Sequence, residues 1–182
     1  ADLQHVLKVA KTIGEKIRIS GGGRCNFTNR HTGPQHFLSH NPGFVRPSLS
    51  GYGPKAFIQL VRDHGIAFHE KHKGQLFCDQ SASDIIKLLV DECQAGGVDI
   101  RHPVSVTGVS KEGAAWRVEC GLGTTLADQL VVATGGLPVP AIGATAWGLD
   151  FARGLGLKVT DVRPGLVPLS FTGDQTAFFA SL

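Results

Sequence analysis

Ile17-Arg18-Ile19-Ser20-Gly21-Gly22-Gly23-Arg24-Cys25-Asn26-Phe27-Thr28-Asn29 is the stretch on which the fold of this chain turns. Three consecutive glycines are out of place inside a helix or a packed strand, because each loses more backbone entropy on ordering than any other residue. They follow Ile17 and Ile19, a short alternation that reads as the end of a strand or extended segment. They lead into Arg24, Asn26, Thr28 and Asn29, which a flexible Gly and Ser linker would not contain. Glycines let a main chain approach a ligand with its N–H groups turned toward it, and Arg and Asn side chains add fixed donors. Such a loop suits a phosphate or the edge of a heteroaromatic ring, and it also suits an ordinary turn. It is not a P-loop, since no Gly-Lys-Ser/Thr closes it.

A second signal stands far along the chain. Leu130-Val131-Val132-Ala133 is a continuous apolar run, the pattern of a strand buried on both faces of a parallel sheet, and it stops at Thr134-Gly135-Gly136. In open α/β sheets, ligands bind beyond the carboxyl ends of strands, where small residues permit close approach.

Between these signals the punctuation is regular. Leu3 to Ala10 is compatible with strand or helix, and 30–53 carries many Gly and Pro breakers, the mark of a functional loop or of one packed by something outside it. Pro54 opens a helix with Phe57, Leu60 and Val61 on one face, ended by Gly65. Residues 66–69 and 75–78 read as short strands. A second helix starts at Ser81 or Ser83, with Asp84 in its first turn, and stops at Gly96-Gly97. Val98 to Ile100 is a strand, and 104–109, 116–120 and 124–126 form a meander with short Gly-bearing turns. A helix over 147–155 and strands over 157–162 and 166–171 complete the pattern.

Composition narrows the class. The chain has 182 residues, 42% hydrophobic and 18% charged, enough for one sizeable core. The net charge of +3 is mild and the basic residues read as scattered, which gives nucleic-acid binding little support. No apolar run approaches a membrane span and no signal-peptide pattern is present, so a cytoplasmic setting without membrane contact is expected. Cys25, Cys78, Cys93 and Cys120 lack zinc-ribbon spacing and fit reduced thiols. Cys25 stands in a loop beside an arginine, which would lower its pKa, while the other three read as buried and inert. His69-Glu70-Lys71-His72 is one residue short of the zincin motif and lies in a strand and turn pattern, so no metal site is expected. The sequence has no methionine and ends in an apolar run, 177–182, which reads as a portion of a longer protein.

The string from Gly14 to Asn29 resembles the signature of the HI0933-like (YhiN/BaiN-type) flavoproteins, bacterial FAD-dependent oxidoreductases linked to NAD(P). The resemblance continues in His64-Gly65-Ile66, in 74–78, in 131–136, in Ile142-Gly143-Ala144-Thr145 and in 164–169, and so covers almost the whole chain from Lys11 onward. It implies an α/β fold of the two-dinucleotide-binding type, here partial: a parallel sheet with a β-meander crossover. Residues 1–163 would belong to the FAD domain, and 164–182 would begin an inserted, mainly β domain. The family's GxGxxG fingerprint does not occur among these residues.

Carried over by position, the cofactor contacts would be Lys16, Ser20, Gly21, Gly22, Gly23, Arg24, Cys25, Asn26 and Thr28 on the flavin and pyrophosphate side. Val104 would meet the adenine through its main chain, and Ala133, Thr134, Gly135 and Gly136 would let the sheet approach the cofactor. The expected activity is FAD-dependent oxidation and reduction of a small-molecule substrate with NAD(P)H as reductant, with no nucleic-acid partner. No catalytic side chain is singled out. The alternatives are a nucleotide- or RNA-binding protein without redox activity, and a non-catalytic flavoprotein fragment.

Overall fold

The computed structural model describes residues 12–165 and the backbone of 5–7. The chain divides into two compact units, residues 1–131 with 139–143 and residues 132–138 with 144–182.

The first unit is mixed α/β. The glycine stretch begins with a helical turn, α1 (Glu15–Arg18), and a 3-10 turn over Ser20–Gly23. Ile17 and Ile19 are therefore not the end of a strand. Gly14 starts the turn at φ 72°, and the Arg18 and Ile19 N–H groups donate to the Gly14 and Glu15 carbonyls. Ile17 then turns to the core while Ile19 stays 48% exposed. A two-residue alternation is too short to separate strand from a single helical turn.

The two strands expected at 66–69 and 75–78 form, and Asn26–Asn29, read from sequence as loop, adds a third. Strands β2 (Asn26–Asn29), β3 (Phe68–Glu70) and β4 (Gln75–Cys78) form an antiparallel sheet in the order β2-β4-β3. The 30–53 segment is less irregular than its breakers suggest, since it holds a 3-10 turn at Pro34–His36 and a short helix, α2 (Arg46–Gly51). Helix α3 (Pro54–Asp63) opens on its proline and ends before Gly65, which adopts φ 67°.

Helix α4 (Ala82–Ala95) is capped by Ser81. The Ser83 N–H donates to the Ser81 hydroxyl at 3.1 Å, and the Ser81 N–H donates to the Asp84 carboxylate at 3.3 Å. This capping box satisfies donors that the helix itself leaves open. The core forms where α3 and α4 face the β2-β4-β3 sheet: Cys25, Val61, Cys78, Ala82, Ile85 and Leu88 are buried together. Phe27 sits edge-on to Phe57 and Phe68, with centroids at 6.0 and 5.3 Å. Side chains such as Val61 and Leu88, at 0% and 1% exposure, each contribute about 1.5–3 kcal/mol by leaving water.

Among the described residues the expected parallel sheet is present only as a two-stranded pair, β1 (His5–Leu7) with β5 (Asp99–Arg101). The meander is β6 (Val106–Glu112), β7 (Ala115–Cys120) and β8 (Gly123–Ala127), antiparallel in that order. The expected strand at 130–133 does not form, and Val131 is 86% exposed. Four apolar residues have the composition of a buried strand, but a strand exists only where neighbours take up its N–H and C=O groups. The segment 157–162 likewise carries no strand, with Leu157 and Val162 59% and 50% exposed. The expected strand at 166–171 lies outside the described residues.

In the second unit, α5 (Trp147–Gly154) forms where expected, its Trp147 and Phe151 rings stacked at 5.1 Å. Among the described residues no helix is long and apolar enough to cross a membrane.

Candidate functional site

The glycine loop is pinned from inside and open outside. Gly21, Gly22 and Gly23 adopt φ of 58°, 67° and 84°, a left-handed run that L side chains rarely tolerate. A Cβ on Gly21 would lie 2.7 Å from the Asn26 nitrogen and 2.8 Å from Phe77 Cε1, so this glycine is required by packing. A Cβ on Gly22 or Gly23 would meet nothing within 4 Å. Those two positions face open space.

The anchoring bonds come from the flanking residues. The Ser20 hydroxyl donates to the Ile17 carbonyl at 2.7 Å, and the Cys25 N–H donates to the Ser20 carbonyl at 3.1 Å. The Cys78 N–H donates to the Arg24 carbonyl at 2.9 Å, which ties the loop to β4. In the orientation its neighbours require, the Asn26 amide nitrogen donates to the Thr28 and Leu76 carbonyls at 3.1 and 3.2 Å. Asn26 thus holds the loop's shape. Gly14 completes the support, since a Cβ there would fall 2.6 Å from the Ile86 side chain of α4.

Two cations flank the loop in sequence. Lys16 and Arg24 are exposed and make no ion pair with a described residue, whereas Arg18 pairs with Glu15 at 3.5 Å and Arg30 with Glu70 at 3.0 Å. Cys25 departs from expectation. Its backbone is left-handed at φ 49° and its side chain is 5% exposed within the core, so the thiol does not share the loop's exposed side with Arg24. Any contact to a ligand falls to its main chain. Burial, and then the neighbouring Cys25, Asp84 and Asp79, push the Cys78 thiol up to about 11, which keeps it protonated and unreactive. Cys93 and Cys120 are only half-buried.

Thr28 continues the loop into a cleft of about 220 Å³ lined by Thr28, Thr32, Leu49, Tyr52 and Phe57. A larger cleft of about 370 Å³ lies between the end of α3 and α4, lined by His64, Asp84, Lys87 and Asp91. Its charges are already spent on protein partners. His64 bonds Glu92 at 2.8 Å, Lys87 bonds Asp91, and Asp84 caps α4. The smaller cleft, continuous in sequence with the glycine loop, is the better candidate.

The remaining expected positions stand apart in sequence and role. Val104 is 3% exposed in the turn between β5 and β6, not within the strand expected to carry it. Thr134 lies against α5, where a Cβ on Gly148 would reach 2.8 Å from its hydroxyl oxygen. Gly135 adopts φ 74° with nothing near its missing Cβ. Within the HExH-like string, His69 bonds Asp79 at 2.6 Å and Glu70 pairs with Arg30.

A model of the Rossmann domain of HI0933-like proteins matches residues 4–176. The chain belongs to the HI0933-like family. This is a flavoprotein oxidoreductase family, and its relatives bear names of reductive enzymes. The chain is 46% identical over 160 residues to the ribosomal RNA dihydrouridine synthase of Escherichia coli K12, covering 88% of this chain and 40% of that protein. It is 41% identical over 165 residues to the protein of the same name from Haemophilus influenzae, covering 88% and 41%. A 3-dehydro-bile acid delta(4,6)-reductase of Clostridium scindens is 28% identical over 166 residues, covering 90% and 40%. The chain therefore spans about 40% of the length of the curated relatives it matches.

These relatives overturn the expectation that no nucleic acid is a partner, because two proteins above 40% identity bear names that place their chemistry on ribosomal RNA. The expectation rested on reading the basic residues as scattered and on a mild net charge, which averages over the surface and is blind to where the charges sit.

Proposed function

We propose that this HI0933-like chain is part of an FAD-dependent oxidoreductase that reduces a base in RNA, with NAD(P)H as the source of electrons. The observation that carries the reading is the glycine loop of a flavoprotein family, left-handed at three successive positions and open at Gly22 and Gly23, with exposed Lys16 and Arg24 near it in sequence and paired with no described acid. These residues fit a cofactor bearing phosphates: bare main chain for close approach and two cations for charge.

In this reading Gly22, Gly23 and the main chain of Cys25 bind the cofactor, while Lys16 and Arg24 hold its pyrophosphate. Ser20, Gly21 and Asn26 keep the loop in shape through the bonds and packing described above. Thr28 lies at the border between cofactor and substrate. Val104 would contribute main-chain contact to the adenine, and 133–136 a close-approach segment of small residues. When bound, the flavin supplies hydride transfer, which no side chain of this chain can perform. Reduction of uridine to dihydrouridine adds a hydride and a proton across the C5–C6 double bond, and NAD(P)H is oxidised in balance.

The finer architecture belongs to the same proposal. Residues 1–163 are part of a two-dinucleotide-binding FAD domain, the inserted domain expected to begin at 164 falls almost wholly outside the described residues, and the enzyme works in the cytoplasm beside its RNA. Relatives named synthase and reductase favour this over a nucleotide-binding protein without redox activity.

The test is to incubate the full-length protein with FAD, NADPH or NADH and an unmodified ribosomal RNA transcript. Nucleosides are then examined by mass spectrometry. The reading predicts dihydrouridine that depends on both the flavin and the nicotinamide. A flavin that NAD(P)H reduces but that leaves every uridine intact would overturn the RNA substrate.

A further inference from the structure

The basic residues are not scattered. Residues 16–62 contain seven of the chain's 18 Lys and Arg residues and none of its 15 Asp and Glu, so the rest of the chain carries eleven cations against fifteen anions. Among the described residues, the same segment holds the most exposed large apolar side chains of the first unit's N-terminal half. Leu38 is 99% exposed, Phe44 74%, Tyr52 57% and Phe37 42%.

Spatial neighbours engage part of this charge. Arg18 and Arg30 pair with Glu15 and Glu70, and Arg62 lies 5.8 Å above the Phe68 ring. Arg46 and Lys55 are exposed and bond no described acid. They flank the cleft beside Thr28: Arg46 begins α2, which carries Leu49, and Lys55 follows Pro54 in the first turn of α3. Tyr52 lines the cleft and is still more than half exposed.

We propose that this face, with Arg46, Tyr52 and Lys55 around the Thr28 cleft, docks single-stranded RNA. The inference rests on the RNA-substrate reading above and assigns the surface that receives it. Cations without acidic partners suit phosphates. Exposed aromatic rings between them suit unstacked bases, which is how single-stranded RNA is held. An acidic protein would use the charges but leave the rings in water. Thr28 ends the glycine loop and lines the cleft, so a base held there lies at the edge of the proposed cofactor site.

The experiment measures binding of the full-length protein to a uridine-containing RNA hairpin over a range of salt concentrations. The variants are Arg46→Gln with Lys55→Gln, Tyr52→Ala and Tyr52→Phe, with flavin absorbance monitoring the fold. Loss of two phosphate contacts predicts a slope of log affinity against log salt shallower by about 1.4. Tyr52→Ala predicts affinity lower by roughly fivefold to a hundredfold with the slope unchanged, and Tyr52→Phe restores it. Wild-type binding that none of these variants alters overturns the surface and leaves the RNA reading standing. No binding by the wild type overturns both. Self-association abolished by Tyr52→Ala, with RNA binding intact, would assign the face to a second copy and overturn the proposal.

Discussion

Replacing Gly21 or Gly22 by alanine separates packing from ligand approach within one loop. Both residues are left-handed, at φ 58° and 67°, so alanine at either pays about 1–2 kcal/mol for its backbone conformation. Only at Gly21 does the new methyl strike the fold, at 2.7 Å from the Asn26 nitrogen and 2.8 Å from the Phe77 ring. The Asn26 main chain cannot easily retreat, because the residues before it are tied down, Cys25 N–H to the Ser20 carbonyl at 3.1 Å and the Arg24 carbonyl to Cys78 N–H at 2.9 Å, and Asn26 itself stands opposite Phe77 in the β2–β4 pair. Overpacking of this kind costs about 1–3 kcal/mol more. Gly21→Ala should therefore lower stability by about 2–5 kcal/mol and Gly22→Ala by about 1–2. Thermal unfolding followed by circular dichroism reads the difference, at about 2–4 °C per kcal/mol for a chain of this size. Flavin retention should rank the other way relative to stability, with Gly22→Ala folded but poor in flavin. Equal shifts in melting temperature for the two variants would refute the packing argument.

Other perturbations test separate parts of the account. Gly148→Ala should destabilise by about 1–3 kcal/mol, because its methyl meets the Thr134 hydroxyl at 2.8 Å, and adding Thr134→Ala should recover the loss in a double-mutant cycle read by urea denaturation. Ser81→Ala should cost about 1 kcal/mol by removing the acceptor for the Ser83 N–H at the start of α4, seen as a lower urea midpoint with an unchanged slope. Burial raises the Cys78 thiol to about 11 from an ordinary 9.0, so its contribution to stability is complete below pH 9 and is lost as the pH rises toward 11. A pH titration of the unfolding free energy should show that decline, and Cys78→Ala should flatten it. Iodoacetamide at neutral pH should label Cys93 and Cys120 before Cys25 and Cys78, as peptide mapping would reveal.

Much of the fold was legible because local chemistry and final structure agree. Pro54, Gly65, Ser81 with Asp84, and Gly97 mark the ends of α3 and α4, since caps and left-handed turns are decided within a few residues. The meander was legible from alternation and short turns. Leu130 to Ala133 misled because burial on both faces depends on partners elsewhere in the chain, which a four-residue window does not contain. Cys25 misled for a related reason: its neighbour Arg24 is a fact of sequence, but the direction of the thiol is set by the left-handed turn at φ 49°.

The site was legible as a glycine loop with donors, and the sequence alone could not divide its members. That Gly21 is packed while Gly22 is open depends on Phe77, half a chain unit away on β4. The cleft beside Thr28 was missed, as were Arg46, Tyr52 and Lys55 around it. The signal was available in the sequence as a run from Lys16 to Arg62 without one acidic residue, and the overall net charge concealed it.

The central claim is that the loop over 20–28 holds a flavin, and an absorption spectrum addresses it first. The full-length protein is purified, incubated with FAD, freed of excess and measured in the visible range, then treated with NADPH or NADH without air. The account predicts a retained flavin spectrum that bleaches on adding the nicotinamide, and its loss in a Gly22→Arg variant that still melts cooperatively. A folded protein that stays colourless after exposure to FAD would contradict it.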